Sequence, residues 1–105
     1  MIMPDIDKLI MNCVVVGTGS IGLRHLRLLH QSCEGQVAAM PVRPERRAWL
    51  MDQGFRVVTS WEEVARLGIS CAVIATDTTY HPNGIEAAAK IGCDVLVEKP
   101  LAVDS

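Results

Sequence analysis

Gly17, Gly19 and Gly22 stand at the spacing G-x-G-x-x-G. They follow the apolar, mostly β-branched run Cys13-Val14-Val15-Val16 and precede a leucine-rich amphipathic segment. Strand, tight turn and helix in that order are the context in which such glycines do chemistry together. A glycine at 17 permits a sharp turn off the strand. One at 19 lets an anion approach the backbone, and one at 22 lets the helix pack close to the strand. The first N–H groups of that helix, near Ser20 and Ile21, have no partner within it, and the helix dipole adds positive potential there. The segment Gly17, Thr18, Gly19, Ser20, Ile21 and Gly22 is therefore a candidate cradle for the pyrophosphate of a dinucleotide. The plainer alternative is a glycine-rich turn that holds nothing, and the flanking strand and helix weigh against it.

A second position bears on which dinucleotide. Sites that prefer NAD carry an Asp or Glu about 20 residues beyond the glycines, to bind the ribose hydroxyls. Counting on from Gly22 leads to Pro41-Val42-Arg43, and no acid is there. Arg43 is a planar cation able to grip a 2′-phosphate and stack on adenine. The absence of a carboxylate also removes a group that would repel that phosphate. The expectation is NADP in preference to NAD, with Arg43 as its main determinant and Arg46 and Arg47 adding positive field. The alternative is a solvated arginine and a site that takes either cofactor.

The elements that must hold these residues follow from the hydrophobic pattern. Strands are expected over about 12–16, 36–40, 56–58, 71–75 and 94–97. Helices are expected over about 20–30, with Ile21, Leu23, Leu26 and Leu29 on the packed side, and from Pro44 towards Gly54. A short helix over about 60–67 is announced by the capping-box form Ser60-x-x-Glu63, and a last one covers about 83–91 after Pro82. Cys71-Ala72-Val73-Ile74-Ala75 is a continuous apolar run, as in a strand buried on both faces. Alternating strands and helices give an α/β fold, a doubly wound parallel sheet of Rossmann type. Ligands of such sheets bind beyond the C-terminal ends of the strands. The polar segments at those ends are 17–22, 41–43, 76–81 and 98–100.

Two distant motifs agree on a family. Val-Val-Gly-Thr-Gly-Ser-Ile-Gly-Leu-Arg-His opens the chain, and Val-Leu-Val-Glu-Lys-Pro-Leu-Ala lies near its end. Between them stand Val-Ile-Ala-Thr, a histidine, and Ala87-Ala88-Ala89. From about Asn12 to Val103 the chain resembles the Gfo/Idh/MocA oxidoreductases, the glucose-fructose oxidoreductase and inositol dehydrogenase family. The resemblance implies a nicotinamide cofactor and hydride transfer at a hydroxyl-bearing carbon of a sugar or cyclitol. It implies a catalytic role for Lys99, beside both nicotinamide and substrate, where an ammonium can hydrogen-bond the reacting oxygen. It also implies cofactor contacts from Thr76, Asp77, His81, Glu98 and Lys99, with Glu98 near the nicotinamide ribose and a cis peptide before Pro100. Asp77 departs from the family's usual proline, so this loop is expected to hold the ribose differently. Family members also carry a second α/β domain that supplies substrate-binding residues. The chain is accordingly expected to be the cofactor-binding portion alone, with residues 1–11 as a leader and residues 12–105 as an incomplete Rossmann domain, inactive by itself. The competing function is a non-catalytic dinucleotide-binding module.

Composition sets further bounds. Half of the 105 residues are hydrophobic, and the formal net charge is −2. Disorder is therefore not expected, nor is a nucleic-acid or membrane surface. The one basic cluster, Arg43, Arg46 and Arg47, lacks aromatic interleaving apart from Trp49. Cys13, Cys33, Cys71 and Cys93 form no C-x-x-C pair, which suggests thiols in a reducing cytoplasm and no metal site. No segment reads as a signal peptide or reaches transmembrane length. An open strand edge makes a homo-oligomer plausible.

Overall fold

The computed structural model describes residues 12–32, 35–76 and 81–97. Among the described residues nine elements alternate in chain order: β1 (Cys13–Val16), α1 (Ser20–Ser32), β2 (Val37–Met40), α2 (Arg46–Asp52), β3 (Arg56–Val57), α3 (Trp61–Arg66), β4 (Cys71–Ile74), α4 (His81–Lys90) and β5 (Asp94–Val97). The strands form one sheet in the order β3-β2-β1-β4-β5, and every pairing is parallel. This is the doubly wound arrangement expected from the alternation, with the order reversing direction at β1.

β1 lies between β2 and β4 in the middle of the sheet, with Val15 opposite Ala39 on one side and Val73 on the other. A central parallel strand is covered on both faces, so all four of its residues must be apolar, and all four are buried. On one face Val14, Val16, Ala38, Ala72 and Ile74 pack with Val64 of α3 and Ala88 of α4. On the other face Val15, Ala39 and Val73 pack with Leu26 of α1 and Leu50 of α2. The pleat of the strands thus sorts one apolar run into two cores.

Several boundaries differ from expectation for identifiable reasons. Pro44 does not open α2. It lies in a turn in which Arg46 N–H donates to Arg43 C=O at 3.0 Å and Arg47 N–H to Pro44 C=O at 3.0 Å, and the helix begins at Arg46. Helix α1 runs on to Ser32, beyond the expected end at His30. Helix α4 starts at His81, ahead of the expected start at 83. Strand β3 closes at Val57, although Val58 N–H still donates to Ala39 C=O at 2.9 Å. On α1, Leu26 is fully buried and Leu23 and Leu29 pack against the core, as the heptad-like spacing implies, whereas Leu28 is exposed.

Candidate cofactor site

Three chain segments meet at the C-terminal ends of β1, β2 and β4. Gly17 N–H donates to Met40 C=O at 2.9 Å and Ala75 N–H to Val16 C=O at 2.8 Å, so the segments leaving the three strands stay side by side. They enclose an open groove of about 530 Å³. Gly17, Thr18, Gly19 and Ser20 form one wall with Leu23. Val42, Arg43 and Arg46 form a second, and Ala75 and Thr76 a third. The groove lies where the strand order reverses, the place at which doubly wound sheets hold ligands.

The three glycines have three separate physical reasons. Gly17 has φ +91°, a left-handed conformation, and a Cβ there would lie 2.9 Å from Thr76 Cγ2 and 3.0 Å from the Ala75 carbonyl. A Cβ on Gly22 would overlap the Gly17 carbonyl oxygen, so α1 can sit this close to the turn only without one. At Gly19 a Cβ would meet nothing within 4 Å. The described residues therefore make no demand for glycine at 19. The space that a side chain would fill there is groove.

The charge around the groove suits an anion. Arg43 and Arg46 line it, and no carboxylate does among the described residues. Helix α1 has no acidic residue in its first turn. Leu23 N–H donates to Gly19 C=O at 2.8 Å, which puts Gly19 at the cap position and leaves the N–H groups of the first turn without helical partners. Thr76 Oγ1 is buried and has no hydrogen-bond partner among the described residues. An orphaned hydroxyl at the rim of a groove, beside backbone donors and two arginines, fits a polyhydroxylated phosphate ligand such as a nicotinamide dinucleotide.

Of the residues that the sequence nominated, Gly17, Thr18, Gly19, Ser20, Arg43 and Thr76 come together on the groove. Ile21 is half-buried, Gly22 is buried beneath the turn, and neither lines the groove. His81 is the first residue of α4. Asp77, Glu98, Lys99 and Pro100 lie outside the described residues, as does Cys33.

Sequence reasoning missed Leu23, Val42 and Ala75 as lining groups, and it treated Arg46 as a diffuse charge. In the fold, Arg46 Nη2 donates to the Thr18 carbonyl at 2.7 Å, and its guanidinium lies 4.6 Å from the centre of the Trp49 ring. The Arg46/Trp49 spacing of i, i+3 was the one available signal. Away from the groove, burial pushes the Cys93 thiol above its ordinary range, with Cys71 and Asp94 adding to the shift, and Cys93 Sγ donates to Ile69 C=O at 3.3 Å. No group of three or more metal-ligating side chains forms among the described residues.

Comparisons with known proteins agree with this geometry. Residues 11–105 match the family model GFO_IDH_MocA, described as an oxidoreductase family with an NAD-binding Rossmann fold. Myo-inositol dehydrogenase Hyg17 of Streptomyces leeuwenhoekii is 38% identical over 100 residues, which is 90% of this chain and 30% of that protein. Inositol 2-dehydrogenase of Acidiphilium cryptum is 35% identical over 95 residues, 84% of this chain and 28% of that protein. Among solved structures, apo scyllo-inositol dehydrogenase from Lactobacillus casei superimposes with a TM-score of 0.72 at 25% identity, covering 91% of this chain and 30% of that one. The WlbA dehydrogenase from Bordetella pertussis, in complex with NADH and UDP-GlcNAcA, gives a TM-score of 0.68 at 26% identity, covering 89% of this chain and 30% of that one. The chain thus spans about 30% of the length of the relatives it matches. With the glycine turn, the strand order and the groove on the same rim, the chain belongs to the Gfo/Idh/MocA oxidoreductase family, within that family's NAD-binding Rossmann fold.

Proposed function

We propose that this chain is the cofactor-binding portion of an NAD(P)-dependent oxidoreductase that acts on a hydroxyl-bearing carbon of a sugar or cyclitol. The observation that carries the reading is the groove itself. Gly19 faces it without a side chain, two arginines line it, and Thr76 offers an unpaired hydroxyl. When bound there, the cofactor supplies the hydride acceptor or donor. The backbone N–H groups at the start of α1 would take the pyrophosphate, and Thr76 Oγ1 a ribose hydroxyl. Inositol dehydrogenases among the relatives support the substrate class. In this reading Lys99 holds and moves the proton of the substrate oxygen, with Glu98, Asp77 and His81 around the nicotinamide ribose. Residues 12–105 act as the nucleotide-binding unit and residues 1–11 as a leader. The compartment is the cytoplasm; no helix among the described residues is long and apolar enough to cross a membrane. Self-association through the open sheet edge completes the reading.

NADP is the preferred cofactor, because the end of β2 offers Pro41-Val42-Arg43 and no acid, and Arg43 lines the groove. Calorimetric titration with NADPH and NADH tests this. NADPH is expected to bind more tightly, and Arg43→Ala to weaken NADPH by about tenfold while leaving NADH nearly unchanged. Tighter NADH binding in the parent, or an NADPH affinity indifferent to Arg43, would reject the preference. In an active protein containing this domain, Lys99→Ala is expected to reduce turnover by about a hundredfold or more with little change in cofactor affinity, since its charge is matched to the transition state.

A further inference from the structure

The dinucleotide reading needs two chain segments at a set separation: the glycine turn for the pyrophosphate, and the turn after β2 for the adenosine end. One side chain joins them. Arg46 opens α2, and its backbone N–H donates to the Arg43 carbonyl at 3.0 Å, closing the turn that carries Arg43. Its guanidinium crosses to the glycine turn and donates to the Thr18 carbonyl at 2.7 Å. Thr18 is buried and Arg46 half-buried, so this charge-assisted bond is only partly screened by solvent. The cation is fixed a second time by the Trp49 ring, one turn further along α2.

We infer that Arg46 is a positioning residue: it locks the glycine turn to the β2–α2 turn and so presets the distance that a dinucleotide must span. The inference rests on the cofactor-binding reading but assigns Arg46 differently from Arg43. Arg43 discriminates one cofactor from the other at the 2′ position. Arg46 serves both cofactors equally, because the part it orders is common to both. A ligand that bridges two pre-set ends loses less freedom on binding than one that must gather them.

Arg46→Ala and Arg46→Lys separate the possibilities. Amide hydrogen exchange of residues 17–22 is measured first, on the protein without ligand. NADH and NADPH affinities are then measured by calorimetry. In Arg46→Ala, exchange in the glycine turn is expected to accelerate by about tenfold, with NADH and NADPH both weakened by a similar factor. Arg46→Lys keeps the charge but loses the planar fork and the ring stack, so it is expected to recover only part of both effects. Loss confined to NADPH, with unchanged exchange, would make Arg46 a phosphate ligand and overturn the inference. Full recovery by lysine would reduce its role to positive field and overturn it as well. Exchange that accelerates evenly over the whole chain, with affinities intact, would show a stability effect only and would also overturn it. If the parent binds neither dinucleotide, the cofactor reading fails, and the exchange arm still decides whether Arg46 holds the turn.

Discussion

Helices α1 and α3 both begin on the same rim of the sheet, after β1 and β3, and they treat their first turns in opposite ways. Helix α3 closes its own N-terminus. Ser60 Oγ accepts from Glu63 N–H at 3.2 Å, and Glu63 Oε1 accepts from Thr59 N–H at 2.6 Å and from the Thr59 hydroxyl at 3.0 Å. Two acids, Glu62 and Glu63, sit in its first turn, where the dipole favours them. Helix α1 has glycine at the cap and no acid in the first turn, and it faces a groove lined by arginines. The same orphan N–H groups and the same dipole exist in both. Helix α3 caps one of them with the Ser60 hydroxyl and folds its Glu63 carboxylate back onto Thr59, whereas α1 has no such side-chain cap at Gly19. What marks the candidate site is therefore the missing cap as much as the glycines.

The contrast can be broken in four places, in decreasing order of effect. Gly22→Val puts a side chain into the Gly17 carbonyl, which is backbone and cannot step aside. A loss of more than about 3 kcal/mol is expected, seen as failure to fold or a greatly lowered denaturant midpoint. Gly19→Asp converts α1 to the self-capped type. Because a side chain at 19 meets nothing in the protein, stability should hold or rise by a few tenths of a kcal/mol, roughly the cap difference between Gly and Asp. Affinity for NADH should meanwhile fall by about a hundredfold as a carboxylate takes the place of the pyrophosphate. Calorimetry and thermal melting on the same sample read both sides, and Gly19→Val, bulky but uncharged, should also lose binding while staying folded.

Ser60→Ala opens α3, and about 1 kcal/mol of stability should disappear in urea melts, with cofactor affinity untouched. The smallest effect is a pH dependence. Hydrogen bonds from the Thr59 backbone and side chain hold the Glu63 carboxyl below its ordinary value of 4.5, with Arg66 adding to the shift. A carboxylate with a lowered folded-state pKa stabilises the fold above the unfolded value and loses that contribution as pH falls through the folded one. The stability difference between parent and Glu63→Gln should be present at neutral pH and shrink below about 4.5. A difference that is flat across that range would remove the carboxylate from the cap.

The capping box was legible in the sequence, yet its strongest contacts were not. The spacing points Glu63 back to the cap residue Ser60, whose backbone does help to hold the carboxylate, but in the fold its closest contacts are with Thr59, one residue earlier. Likewise Pro44 carries the residue type of a helix start, but the bonds from Arg46 and Arg47 back to Arg43 and Pro44 make it part of a turn. In both places the residue types announce a local event, and the path of the chain into the next element sets its register.

By itself the sequence determined the alternation of strands and helices, the two-faced burial of β1 and β4, and the glycine turn. Each of these depends on chain-local properties: β-branching, periodicity, and the steric freedom of residues that lack a Cβ. The spacing had already assigned Gly22 to close packing and Gly19 to open approach, and the tertiary structure supplied the atoms that exclude a side chain at 22, those of the Gly17 carbonyl. The tertiary structure alone brought Thr76 against Gly17 across the 58 residues between them, as β4 pairs beside β1. It also turned Arg46 from one basic residue among three into a contact that joins two of the three walls of the groove. These are relations between segments distant along the chain, and they exist only once the parallel sheet has set the strand ends side by side.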